Sequence, residues 1–110
     1  MKCFDVYWCD MGNHYDSIQG GNRPVIVLGN CKGLKSSPVI TVIPITTKIK
    51  RLDMKTHVIG FNYRLRKPCM ALCEQLQTVS RGRIGCRTDY IKFNNMEITI
   101  AIKEALGVEI

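Results

Sequence analysis

The stretch Val39–Thr46, VITVIPIT, does most to limit what this chain can become. Its β-favouring residues predict a strand, and Pro44, which has no backbone N–H to give to a ladder, predicts an edge position or a bulge. Comparable runs recur. CFDVYWC predicts a first strand from Cys3 to Cys9, and RPVIVLG a second, with Pro24 tolerated near its start. THVIGFNY reads as a fourth strand, PCMALCEQLQTV from Pro68 to Val79 as a fifth, and RIGCRTDYIKF as a sixth. Between the first two strands, Asp10–Asn22 is rich in Gly, Asn, Asp and Ser, which suits a long functional loop rather than a tight hairpin.

One helix is legible, near the C-terminus. Ile98, Ala101, Ile102, Ala105 and Leu106 fall on one face at helical spacing. Asn94 and Glu97 have the spacing of a capping box, and Gly107 can close the helix in a left-handed conformation. Short strands, glycine-bearing turns and one terminal helix predict a mainly β fold, a small and strongly curved antiparallel sheet or barrel with the helix packed on it. With 45% hydrophobic content in 110 residues, one domain spanning 1–110 around one core is expected.

Several function classes are disfavoured. No run approaches the roughly 18 consecutive apolar residues of a membrane span, and MKCFDVYWCD meets two aspartates before a signal-peptide core could form, so a soluble, cytoplasmic protein with no membrane partner is expected. The six cysteines are expected to be mostly buried, reduced thiols. Cys69 and Cys73 have no second close-spaced pair, and His14 and His57 stand alone, so neither a metal nor another cofactor is expected. The GxSxG, Walker-type and HExxH patterns are absent.

Charge points elsewhere. The net charge is +7, and ten of the sixteen Lys and Arg fall between Lys48 and Arg87 with only two acids, Asp53 and Glu74, among them. Such a local field suits phosphates, and it equally suits a solvated basic surface.

In QGGNRPVIVLGN, from Gln19 to Asn30, the cation Arg23 stands at the mouth of an apolar strand, anchored by Pro24. If neighbouring strands run antiparallel, the start of the second meets the end of the third, and Arg23 converges with Thr46, Thr47 and Lys48. A guanidinium, two hydroxyls and an ammonium make a phosphate-binding set. Plainer roles stand beside this one: Arg23 pairing with Asp16 or Glu74, and Thr46 and Thr47 as ordinary strand-end residues.

Taken in order, Asp5-Val6-Tyr7-Trp8, Gln19-Gly20-Gly21-x-Arg23-Pro24-Val25, Pro44-Ile45-Thr46 and Glu74-Gln75-Leu76-x-Thr78 resemble the MazF/PemK/Kid toxins over almost the whole chain. THV at Thr56–Val58 and the terminal IKEALG agree in order and spacing. The resemblance implies an SH3-like barrel and a homodimer. It also implies a metal-independent endoribonuclease that cuts single-stranded RNA at short sequences and is covered by a cognate antitoxin. Carried over by motif, Arg23 and Thr46 are the catalytic pair. Ser17, Gln19, Glu74 and Gln75 line the RNA site, with Gly20, Gly21, Thr47, Lys48 and Thr78 counted among the RNA-binding positions.

Two departures are visible. Ile18 stands where the family usually has an acidic residue, which bears on loop contacts and sequence preference. Phe4 stands where members often have glycine, and is read as a change of packing. His14 is read as an ordinary surface histidine. Two rival functions remain: a non-cleaving toxin that binds a protein target, as the similarly folded CcdB binds gyrase, and an inactive RNA-binding relic.

Overall fold

The computed structural model describes residues 1–12, 21–28 and 37–107. Its strands are β1 (Val6–Asp10), β2 (Asn22–Val27), β3 (Val39–Thr46), β4 (His57–Asn62), β5 (Lys67–Leu72), β6 (Gln77–Ser80), β7 (Ile84–Thr88) and β8 (Ile91–Lys92), followed by helix α1 (Asn95–Leu106). The eight strands follow the path β7-β1-β2-β3-β5-β4-β8, with β6 also paired to β3, and every pairing is antiparallel. The mainly β class with one C-terminal helix is as expected. The path is not closed by pairing between its two end strands, β7 and β8, although only Asp89 and Tyr90 separate them in sequence.

β3 is central, which corrects the edge or bulge expected from Pro44. On one side it pairs with β2, Pro44 facing Val25. On the other it pairs with β6 from Val39 to Val42 and with β5 at Ile45 and Thr46. Pro44 therefore falls where the second side changes partner, the place in a central strand where a missing N–H does least harm.

That change of partner also explains a second correction. The fifth strand expected over Pro68–Val79 is two strands, β5 and β6, joined by a 3-10 turn at Cys73–Gln75, so that one segment can serve both halves of β3. Glu74 and Gln75 consequently lie on a turn and not on a strand. The expected sixth strand likewise divides into β7 and β8 at opposite ends of the path. The first strand begins at Val6 rather than Cys3, because Phe4 has φ 74°. A bulky L-residue in that region is strained, so the position carries a backbone demand that glycine meets freely, and the packing explanation offered for Phe4 is incomplete.

Alternation along β2 and β3 feeds two apolar clusters. Ile26, Ile43 and Ile45 join Val6, Val58, Ala71, Ile98 and Ala101 in one, while Val25, Val27, Ile40 and Val42 join Cys9, Met11 and Val79 in the other. Helix α1 covers the first. Asn94 Oδ1 accepts from the Glu97 N–H at 3.0 Å, and Gly107 closes the helix at φ 67°. Ile98 and Ala101 are buried, whereas Leu106, expected on the same face, is 59% exposed at the last turn. At Gly60 a Cβ would lie 2.5 Å from the Lys92 carbonyl and 2.6 Å from the Phe93 ring, so glycine is what lets β4 meet β8.

Among the described cysteines, Cys9, Cys69 and Cys73 are buried free thiols and Cys3 and Cys86 are exposed. No helix among the described residues is long and apolar enough to cross a membrane.

Candidate active site

The sheet brings the start of β2 beside the end of β3. Continuing the register Val25↔Pro44 by two residues sets Arg23 opposite Thr46, and the Arg23 guanidinium donates to the Ile45 carbonyl at 3.4 Å. On its other side Arg23 pairs in register with Cys9 of β1, and Thr46 pairs with Met70 of β5. Each residue is thus held in a ladder on one side, Arg23 against β1 and Thr46 against β5, and the Arg23 side chain is further held by the Ile45 carbonyl.

Arg23, Thr46, Thr47, Lys48 and Lys50 line one open groove of about 500 Å³, floored by Pro24, Ile45 and Cys69. Among the described residues, its lining holds three cations and no carboxylate. Burial lowers the Arg23 guanidinium below the usual arginine value, since partial removal from water disfavours the charged form. An incoming anion offsets that cost. The groove thiol, Cys69, is pushed up to about 11 by burial, which keeps it protonated and poor as a nucleophile at neutral pH.

Thr46 is 6% exposed, and its Oγ1 accepts a hydrogen bond from the Lys48 N–H at 3.1 Å. A hydroxyl that accepts from backbone retains its own hydrogen for donation, so Thr46 is oriented to donate to an oxygen in the groove. The same bond folds the chain back after β3 and keeps Lys48 beside the site.

The remaining expected site residues are not gathered there. Glu74 and Gln75 line a second cavity of about 520 Å³, and Lys50 lines both. Glu74 lies 2.6 Å from His57 through Oε2, not against Arg23, so the pairing considered from the sequence is replaced by another. Thr78 lines a third cavity with Gly12, Gln77 and Arg83. Gly21 has φ 76° and exchanges backbone bonds with Met11 and Gly12, at 2.9 and 2.7 Å, that extend the β1–β2 ladder. Ser17, Gln19, Gly20, His14, Ile18 and Asp16 lie outside the described residues.

Sequence reasoning missed Lys50, Trp8, Asn22 and Asn62 in the groove. Lys50 alone left a signal, as the next cation after Lys48 in TTKIK. Asn62 is buried and its Oδ1 accepts from the Arg64 and Leu65 N–H groups at 3.0 Å each, closing the β4–β5 hairpin under the groove.

The chain is similar to known proteins along nearly its whole length. Residues 2–108 match the family described as PemK-like, MazF-like toxin of type II toxin-antitoxin system. The chain is 35% identical to Endoribonuclease MazF of Staphylococcus saprophyticus, an alignment covering 98% of this chain and 92% of the relative. Among solved structures, MazF from Deinococcus radiodurans superposes with a TM-score of 0.75 at 17% identity, covering 98% of this chain and 97% of that one. A mycobacterial endoribonuclease, solved in complex with its cognate antitoxin, gives a TM-score of 0.68 at 20% identity, with coverage of 98% and 94%. The likeness to the solved structures carries the fold, and the match over nearly the whole length carries the relationship: this chain belongs to the PemK-like, MazF-like family of type II toxin–antitoxin toxins.

Proposed function

We propose that this chain is a sequence-specific, metal-independent endoribonuclease toxin that cuts single-stranded RNA in the cytoplasm, works as a homodimer and is neutralised by a cognate antitoxin. The observation that carries the proposal is the convergence of Arg23 and Thr46 on one groove whose other charged lining residues, among those described, are Lys48 and Lys50. Membership of a toxin family and the 35% identity to an endoribonuclease favour RNA chemistry over capture of a protein target.

RNA supplies its own nucleophile, the 2′-OH beside the scissile phosphate. The protein then needs to hold that hydroxyl in line and to stabilise the charge that gathers on the phosphoryl oxygens. Arg23 contributes the charge, its direction set by its place in the β1 ladder and by its bond to the Ile45 carbonyl. Thr46 donates to a phosphoryl oxygen, held in orientation by Lys48 N–H. Lys48 and Lys50 draw the adjoining phosphates into the groove. Attack of the 2′-oxygen forms its bond to phosphorus as the bond to the 5′-oxygen breaks; the 2′-hydroxyl gives up its proton and the 5′-oxygen gains one, leaving a 2′,3′-cyclic phosphate and a 5′-hydroxyl.

The test is incubation of purified protein with a long single-stranded RNA in EDTA, comparing wild type with Arg23→Ala and Thr46→Ala. Cuts at defined sites by wild type alone support the proposal. RNA left intact by wild type defeats it in favour of the inactive relic or the protein-binding toxin. Sedimentation at low concentration checks the dimer, and a stable monomer counts against it.

A further inference from the structure

THV at Thr56–Val58 has no part in the chemistry above, yet its histidine is closely held. The His57 side chain is 3% exposed. Its Nδ1 lies 3.0 Å from the Arg51 carbonyl and 3.2 Å from that of Lys50, and its Nε2 lies 2.6 Å from Glu74 Oε2. Carbonyls only accept, so Nδ1 carries a hydrogen and donates it; a single proton lies in the Nε2···Oε2 bond. The ring is therefore tied at both ends.

What it ties is the segment 47–56, which has no strand pairing and runs from β3 to β4. Backbone bonds within it join Met54 N–H to Arg51 and His57 N–H to Met54, and Arg51 turns the chain at φ 51°. The Arg51–Asp53 ion pair is well exposed and so adds little restraint. The segment is anchored at its start by the Lys48 N–H on Thr46 and at its end by the Cys73 N–H on the Thr56 carbonyl, at 3.0 Å; between these the imidazole holds the Lys50 and Arg51 carbonyls, and Lys50 lines both the groove of Arg23 and the cavity of Glu74 and Gln75.

We infer that His57 is a positioning residue for RNA. It couples the backbone of Lys50 and Arg51 to Glu74, and so sets the spacing between the cations that hold the phosphates and the carboxylate and amide that face a neighbouring nucleotide. Held through Oε2, Glu74 keeps Oε1 for a donor on that nucleotide. Burial keeps His57 itself off the substrate. This inference rests on the ribonuclease reading and goes beyond it by assigning the part of a residue that does not touch RNA.

The experiment measures cleavage of a short RNA containing one mapped site, as a function of RNA concentration, for wild type, Arg23→Ala, His57→Asn and His57→Gln. Asparagine keeps a donor near the place of Nδ1 and gives up Glu74; glutamine keeps the reach to Glu74. In both variants the half-saturating RNA concentration is expected to rise about tenfold or more, the loss of one charged hydrogen bond, with the saturated rate within about threefold of wild type. A residue that merely supports the core would lower the amount of folded enzyme, and with it the rate, at unchanged half-saturation. Unchanged half-saturation in both variants overturns the inference, and so does a loss of saturated rate as large as that of Arg23→Ala. If the variants do not fold, wild type labelled with ¹⁵N-histidine decides: the His57 ring signals are expected to shift when a non-cleavable 2′-deoxy analogue binds, and signals that stay in place overturn the inference. Wild type that leaves RNA intact defeats the ribonuclease reading instead, an outcome separate from active wild type with unaltered His57 variants.

Discussion

The groove of Arg23 and the cavity of Glu74 share Lys50 and are built in opposite ways. In the first, the proposed reacting groups stand on strands paired on both sides, Arg23 in β2 and Thr46 in β3. In the second, Glu74 and Gln75 stand on a short 3-10 turn, and the loop across from them is tied to it by the His57 imidazole and by the Cys73 N–H to Thr56 carbonyl bond. On the proposed function, strands carry the groups that would meet a phosphate within a fraction of an ångström, and a turn and a loop carry those that would read the nucleotides beside it. On this division, changes at Arg23 and Thr46 should alter rate, and changes in the cavity should alter which RNA is bound and how well.

The largest effect is expected from Arg23→Ala, about 10²- to 10³-fold in single-turnover cleavage, with thermal stability little altered because the side chain is partly exposed. A loss confined to binding would place Arg23 with the recognition groups and break the comparison. Thr46→Val keeps the shape and removes the hydroxyl; about 10- to 100-fold in rate is expected, from one hydrogen bond to a charged oxygen. Stopped-flow or quench measurement at saturating enzyme separates this from weaker binding.

Each region also holds one buried thiol, Cys69 in the groove and Cys73 on the turn, with pKa values raised to about 11 and about 12; burial is the cause in both, joined at Cys73 by the Glu74 charge. Both thiols ionise more readily in the unfolded chain than in the folded one. Stability from this source is therefore complete below pH 9, and falls as the pH rises toward 11 and 12. Iodoacetamide at pH 8 should label exposed Cys3 and Cys86 at least about tenfold faster than Cys69 and Cys73, and mass spectrometry of the peptides reads this out. Rapid labelling of Cys73 alone would show the turn opening independently of the strands. The smallest effect belongs to Lys48→Ala and Lys50→Ala, each expected to lower the slope of log affinity against log salt by about 0.7 on single-stranded RNA, measured by fluorescence anisotropy.

How much of this could be read beforehand depends on the distance over which each feature is encoded. VITVIPIT marks β3 to the residue, and Asn94, Glu97 and Gly107 mark the ends of α1, because β-propensity and capping act within a few positions. Arg23 and Thr46 were placed together by antiparallel logic alone, which needs the strand ends and nothing more. The break at Cys73 left no such mark, since Glu74 and Gln75 also suit the polar-alternating end of a strand and the turn answers to the two partners of β3. Nor does Phe4 announce its positive φ. His57 was passed over because two of its three partners are backbone carbonyls and the third is seventeen residues away, a set that residue types cannot reveal.

At the centre of the proposed function stands self-attack by RNA on a phosphate held by Arg23 and Thr46, and a single substitution in the substrate tests it. An RNA with one mapped cleavage site is compared with the same strand carrying a 2′-deoxynucleotide immediately 5′ of the scissile phosphate, in EDTA with wild-type protein. Cleavage of the first to a 2′,3′-cyclic phosphate and a 5′-hydroxyl, with the second bound but uncut, is the expected result. Cleavage of the deoxy strand at the same phosphate, or ends bearing a 5′-phosphate, would contradict it.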